Sequence, residues 1–574
     1  MKKSFLLLFS LVASTTLLSQ INFLEQASNL GCGTMSYGDG FLGGGISFFD
    51  YNSDGWDDIT VSSEEGQPVR FFKNNGGIFF EETFNINDAL YETKTVQWVD
   101  FDNDADYDLF VTSNIEGNKL YENDGSLQFT DITTSAGLVT TDHRTFGASW
   151  GDYNKDGFLD LFINSRHYDN AEMPNILYKN NGDGTFTNVN ATTGIPDLNY
   201  FSFCAAFFDY NNDGWQDIYI ANDRDPENLL YKNNGDGTFT EVGAVTGTNV
   251  SINAMSTTIG DYDHDGFQDI YVTNTIEGNV FYKNNGDGTF TDIAASNGTL
   301  FESVGWGAVF LDADNDTDLD LYVSGQLDGD AGLLPSAFYE NAGSGMYTIP
   351  TNAGFDDDTA QSFGNAIGDI NNDGLPDITV LNYEPDAIYV WENTNTQNHN
   401  WLKVKLQGTE SNRQGIGSTI EISVNGQKQY QYTMLGEGYL GQNSSYEFFG
   451  IGAATSVDYV KIHWLSGIVD YIENPAINTH HTYIEGENIL GTQEFSNEEI
   501  HIFPNPASET VTITFPEVLA GSMITLRDIT GRTMFQEKNA SVLTQLEVGH
   551  LSNGIYMVSI ENGETKLSEK IIVE

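Results

Sequence analysis

The chain has 574 residues, with 83 acidic against 23 basic side chains for a net charge of −60, and 39% of it is hydrophobic and 13% aromatic. That much apolar material builds real cores, so the acidity does not mark a disordered chain. A charge of this sign repels nucleic acid and anionic membrane surfaces and attracts cations, calcium first among them.

In chain order, residues 1–19 read as a secretory signal: Lys2 and Lys3, an apolar run from Phe5 to Val12, then small and polar residues towards Ser19 and Gln20. The run is too short to span a bilayer, and no other stretch looks transmembrane. Cys32 and Cys204 are the only cysteines, which excludes a disulfide scaffold and leaves their pairing open.

From Asp50 onward a nine-residue frame recurs seven times, with acid at position 1, acid or Asn at 3, acid at 5, usually Gly at 6 and acid at 9. Successive copies start 50 to 57 residues apart. The frame residues are Asp50, Asn52, Asp54 and Asp58; Asp100, Asp102, Asp104 and Asp108; Asp152, Asn154, Asp156 and Asp160; Asp209, Asn211, Asp213 and Asp217. They continue with Asp261, Asp263, Asp265 and Asp269; Asp312, Asp314, Asp316 and Asp320; Asp369, Asn371, Asp373 and Asp377. Calcium takes roughly six to eight hard oxygen ligands, and side chains at alternate positions of a curled loop converge on one point. The expected cofactor is therefore Ca2+, up to seven ions. No helices flank the loops and no Glu stands at position 12, so an EF-hand is excluded. Ala105 and Thr317 replace Gly at position 6, where the bend favours Gly.

A second element keeps the same phase. "YKNNGDGTFT" occurs at 178, 231 and 282, with decayed copies elsewhere, and its Asn and Gly residues suit a tight hairpin between aromatic-flanked strands. Each repeat thus reads as four short strands; in the third they are Phe146 to Asp152, Leu159 to Asn164, Asn175 to Lys179 and Thr185 to Val189. First strands such as "FGASWGDY" are rich in small residues, which suits crowding around an axis. The seventh repeat lacks a fourth strand after "AIYVWENTN", while Ile21 to Glu25 carries the pattern of one. This predicts that Ile21 to Glu25 lies antiparallel to Ala387 to Trp391, in one sheet with Asp377 to Leu381.

The frame, the near-fifty-residue period and the hairpin together resemble the FG-GAP or VCBS repeat family, found in integrin α chains and many secreted bacterial propellers. The resemblance implies a calcium ion in each loop between first and second strands. Residues 399–486, with "FFGIG" and "WLSG" where relatives read HFGLG and WPSG, resemble the ASPIC/UnbV domain of the cartilage acidic protein family and read as a compact antiparallel β domain. After a polar linker at 487–498, residues 499–574 resemble a type IX secretion sorting domain through Pro504, Asn505, Pro506, Gly531, Gly554, Tyr556 and Lys570. The expected fold is all-β: a seven-bladed β-propeller with calcium loops over 20–398, a small β domain, and a C-terminal β-sandwich. The resemblance places the protein outside the cell or anchored at the outer-membrane surface, with the type IX machinery as a partner.

No GxSxG elbow, HExxH or Cys–His frame is present. If the acidic loops occupy one face, the opposite face carries His143, Arg144, Arg166, His167, Asp223 and Arg224, which would suit an acidic ligand. The reading is a monomeric calcium-binding adhesion module for glycan or extracellular protein rather than an enzyme. The alternative is a polysaccharide lyase or glycoside hydrolase working at that face.

Overall fold

The computed structural model describes residues 21–488 and 501–573, apart from 35–36, 39, 87–90, 141–142, 167–172, 225, 328–331, 357, 397–398, 515–522, 539–542 and 563–564. The expected signal and most of the expected linker lie outside the described residues. The chain divides into two compact units, Met1–Ile489 and Leu490–Glu574.

Within the first unit lie seven antiparallel sheets of four strands, one per acidic frame. In the third, Thr145–Gly151, Asp160–Ser165, Ile176–Asn180 and Phe186–Asn188 depart from the sequence expectation by one residue at each end. Every residue of the first strand Thr145–Gly151 is buried, because its small side chains admit neighbours on both faces. The described helices are single turns: Ala27–Leu30, Asn190–Thr193, Gly243–Thr246 and Ala294–Asn297.

The first strands touch in chain order, and Ser362–Gly368 of the seventh sheet also touches Ile46–Phe49 of the first, so the row of sheets returns on itself. The seventh sheet draws its outer strand from the other end of the chain. Phe23 pairs with Asn393 and Glu25 with Trp391, antiparallel, beside Asp377–Asn382. Phe23 is fully buried against Phe338 and Phe355, with ring centroids 5.5 and 5.2 Å away.

Residues 401–484 form two further sheets of three and four strands around Leu402, Val404, Ile420, Ile422, Val460 and Ile462. The expectation of purely antiparallel pairing fails at one place. Trp401–Gln407 runs parallel to His480–Ile484, because these strands open and close the region and the four-stranded sheet forms the long crossover that parallel pairing needs.

A Gly-rich segment of this region runs along the ring's axis. Leu435 bridges Trp150, Gly438 bridges Thr257 and Gln442 bridges Ser47. The Gln442 amide accepts from Trp98 N and donates to Trp98 O, both at 2.8 Å, and Asn443 accepts from Ile367 N at 3.0 Å. The Tyr439 ring packs on Phe203 and Trp306, with centroids 5.6 and 4.9 Å away. Each of the seven first strands is touched. Close approach explains a glycine here: a Cβ on Gly45 would sit 1.9 Å from Leu440 O.

The second unit has sheets of three and four antiparallel strands that share the buried residues Val511, Ile513, Ile524, Leu526, Leu546, Val558, Ile560 and Ile571.

Candidate metal centres

Each acidic frame joins a first strand to a second, and its ninth residue opens the second strand. The loops are built alike from the backbone up. At Asp152, one carboxylate oxygen accepts from Asp156 N at 3.0 Å and the other from Gly157 N at 2.9 Å. Asn154 accepts from Asp156 N at 3.0 Å and Asp156 from Phe158 N at 3.2 Å, so the side chains fold the loop over themselves. Asp160 accepts from Asn180 N at 2.8 Å and from Tyr153 N at 3.2 Å.

Positions 4 and 6 are left-handed in all seven loops, including Ser53, Asn103, Lys155, Asn212, His264, Asn315 and Asn372 at position 4. Ala105 and Thr317 keep the bend with φ of 79° and 96°, and their N–H groups reach Asp100 and Asp312 at 3.1 and 2.9 Å as the glycines do. The substitutions thus leave the loop shape unchanged, at a cost of about 1–3 kcal/mol each.

The donor set fits a hard cation. In three loops (Asp100, Asp102, Asp104; Asp261, Asp263, Asp265; Asp312, Asp314, Asp316), one carboxylate oxygen from each residue lies within 4.8 Å of the others. Positions 1 and 9 are buried in every loop except at the half-buried Asp209: exposure is 1% at both Asp100 and Asp108. Burial, with the charge of neighbouring carboxylates second, pushes Asp100 up to about 7, while burial pushes Asp108 and Asp58 up to about 9. Asp160, Asp217, Asp269, Asp312, Asp320 and Asp377 are all driven well above the ordinary carboxylate range, again chiefly by burial. Buried like charges held this close require either protons or a shared cation.

Neighbouring elements close on the loops. The Asn ending a third strand reaches the adjacent sheet's loop: Asn74 donates to Ile370 O at 2.9 Å, Asn180 to Phe101 O at 2.8 Å, Asn233 to Tyr153 O at 2.8 Å and Asn393 to Ala313 O at 2.7 Å. Residues 399–486 cover the loop end of the ring. Arg413 N donates to Asn103 at 2.8 Å, Asp100 N to Gln414 at 2.8 Å and Gly452 N to Asn315 O at 2.8 Å. The buried Lys403 ammonium lies 3.1 Å from Asp369.

The residues expected at the opposite end are largely engaged with one another. Arg166 pairs with Asp223 at 2.6 Å, both buried, and lies over the Phe203 ring at 4.4 Å. His143 is buried against Ser165 at 2.6 Å, and burial lowers it to about 4, so it is neutral at pH 7. Arg224 is exposed and bonds Asn253 at 3.2 Å; Arg144 is half-buried, and His167 lies outside the described residues. Cys32 and Cys204 are both free and buried, in separate clusters.

Family descriptions match along the chain: an FG-GAP-like repeat at residues 50–111, 100–163, 165–220, 209–272 and 261–323, ASPIC and UnbV at 408–489, and a secretion system C-terminal sorting domain at 501–574. The chain carries FG-GAP-like repeats, an ASPIC and UnbV domain and a sorting tail. Cartilage acidic protein 1 of Homo sapiens is 26% identical over 259 residues, which is 41% of this chain and 38% of that protein. The Mus musculus protein is likewise 26% identical over 259 residues, 41% of this chain and 39% of its own length. The chain thus spans about two fifths of the length of these curated relatives. Among solved structures, an Agrocybe aegerita lectin described as recognising non-reducing terminal N-acetylglucosamine is similar at 20% identity and a TM-score of 0.35, over 53% of this chain and 79% of that one. An exotype rhamnogalacturonan lyase is similar at 11% identity and a TM-score of 0.31, over 78% of this chain and 92% of that one. The sorting tail makes this chain a type IX secretion client, extracellular or held at the outer-membrane surface. No described helix is long and apolar enough to cross a membrane.

Proposed function

We propose that residues 20–398 form a seven-bladed β-propeller with calcium in its acidic loops, and that the secreted protein is a binding or adhesion module for glycan or extracellular protein. The observation that carries this reading is the asymmetry of the ring's two ends. Residues 399–486 cover the acidic-loop end, where Ile78 and Met346 stay exposed at hairpin tips, and fill the axis, whereas the other end exposes Phe41, Ile115, Leu198, Ile276 and Leu334, at 39 to 56%, from connections of five different sheets. Exposed apolar groups and the exposed Arg224 guanidinium at the same end suit a ligand with both apolar and anionic character. Calcium on this reading supplies positive charge to buried carboxylates and fixes the turn into each second strand.

The lyase or hydrolase alternative requires an acid and a base free to meet a sugar. At the described part of this end Arg166 and Asp223 are spent on each other and His143 is buried, which favours binding over catalysis. A glycan and extracellular-protein array probed with the purified chain tests the reading. Binding that is lost in a Phe41→Asp, Leu334→Asp double variant with an unchanged melting temperature supports it; new reducing ends or double-bond absorbance from a bound polysaccharide would replace it with the enzyme reading.

A further inference from the structure

The residue just before the Asn that ends each third strand faces the acidic loop of its own sheet, and it is not the same residue in each. It is Lys73, Lys179, Lys232 and Lys283 in four sheets, and Glu122, Glu340 and Glu392 in three. Lys73 lies 3.0 Å from Asp54, Lys179 3.2 Å from Asp156 and Lys232 3.2 Å from Asp213; Lys283 pairs with Asp263 and lies 3.6 Å from Asp265. The seventh loop, despite Glu392, gains an ammonium from outside the ring, as Lys403 meets Asp369 at 3.1 Å. Five loops therefore hold three or four frame carboxylates and at least one lysine.

The loop at Asp100 differs in charge. Its alternate positions are all Asp, since Asp106 adds a fifth carboxylate at position 7, and Glu122 adds a sixth that repels Asp102 and Asp106. Among the described residues no lysine pairs with it. An independent observation points to a ligand there: Asp108 Oδ2 has no hydrogen-bond partner although the side chain is 1% exposed. The matching oxygen of Asp160 is satisfied by Tyr153 N. A buried carboxylate oxygen left bare calls for a partner, and the six carboxylates of the site make that partner a cation. The loop at Asp312 has the same charge set, with Asp318 at position 7 and Glu340 on the third strand.

We infer that the third-strand residue sorts the loops by cation affinity: the loop at Asp100, marked by Glu122, is a tight site, and the lysine-paired loops are weak ones in which an incoming ion must displace an ammonium. The inference rests on the calcium reading above. Affinity in oxygen-ligand sites follows the count of ligand charges, so exchanging one acid for one base beside the site changes it roughly tenfold or more.

Calorimetric titration of the chelated full chain with calcium tests this, using Glu122→Lys and Lys179→Glu. Glu122 is exposed, so its replacement leaves the packing intact. Two classes of site are expected, with the loop at Asp100 in the tight one. E122K should weaken one tight site at least tenfold, and K179E should strengthen one weak site by a similar factor. Binding in one uniform class, or isotherms unmoved by both substitutions, would overturn the sorting while leaving calcium binding intact. An isotherm with no binding heat in any variant would overturn the calcium reading itself.

Discussion

Asp58 and Asp108 open second strands, and their carboxyls stand near 9 because burial removes them from water. The sign of their pH dependence follows. A raised carboxyl holds its proton more tightly folded than unfolded, so without calcium the stability falls as pH climbs from about 4 towards about 9. A melting series of chelated protein should therefore decline across that window, and saturating calcium should flatten it; a chelated protein that melts higher at pH 8 than at pH 5 would contradict the assignment. The frame itself was legible in the sequence as the turn from first to second strand, because Asp and Asn beside a Gly favour a tight loop. The left-handed fourth position was not, since Ser53, Lys155 and His264 carry no conformational signature. Nor was the second role of Asn180. Its place in "YKNNGDGTFT" reads as turn chemistry, yet its side chain spans to Phe101 O in the neighbouring sheet, a contact 79 residues away that no local pattern encodes. Asn180→Ala leaves Phe101 O and Leu159 O without that donor and should cost about 1–3 kcal/mol, read as a lower denaturant midpoint with an unchanged slope.

At the scale of elements, the strand Phe23–Glu25 closes the seventh sheet and leaves no bare edge at Tyr389–Asn393. It was legible because the seventh repeat came up one strand short and "INFLEQASNLG" looks like the strand-and-tail of other repeats; the single turn Ala27–Leu30 after it, ending on left-handed Gly31, matches those ending on Gly194, Gly247 and Gly298. Phe23→Ala should cost about 3–5 kcal/mol by emptying a fully buried aromatic site, and deleting residues 20–26 should lower the melting temperature further than the point variant does. Equal melting of the deletion and the full-length protein would mean the strand contributes nothing. The parallel pairing of Trp401–Gln407 with His480–Ile484 was not legible, because alternation of apolar and polar residues reports a strand and its faces but not the direction of its partner.

For the first compact unit as a whole, the ring and residues 399–486 share one interior. "GEGYLGQNSSYEFFGIG" shows no period of two or 3.6, so its place along the axis could not be read from pattern; only its neighbours from seven first strands define it. Tyr439→Ala would leave a void among Phe203, Trp306 and Phe363 and should cost about 3–5 kcal/mol, lowering one cooperative transition for ring and domain together rather than splitting it in two. The acidic loops lie between these two parts, so their carboxylates govern both the turns within sheets and the seat of the covering domain. The most direct measurement is the thermal melting of the full-length protein with and without a calcium chelator at pH 7.5. The account predicts a large fall in melting temperature on chelation that excess calcium reverses and magnesium does not, because an ion held only by the folded state stabilises it. An unchanged melting temperature on chelation would contradict it.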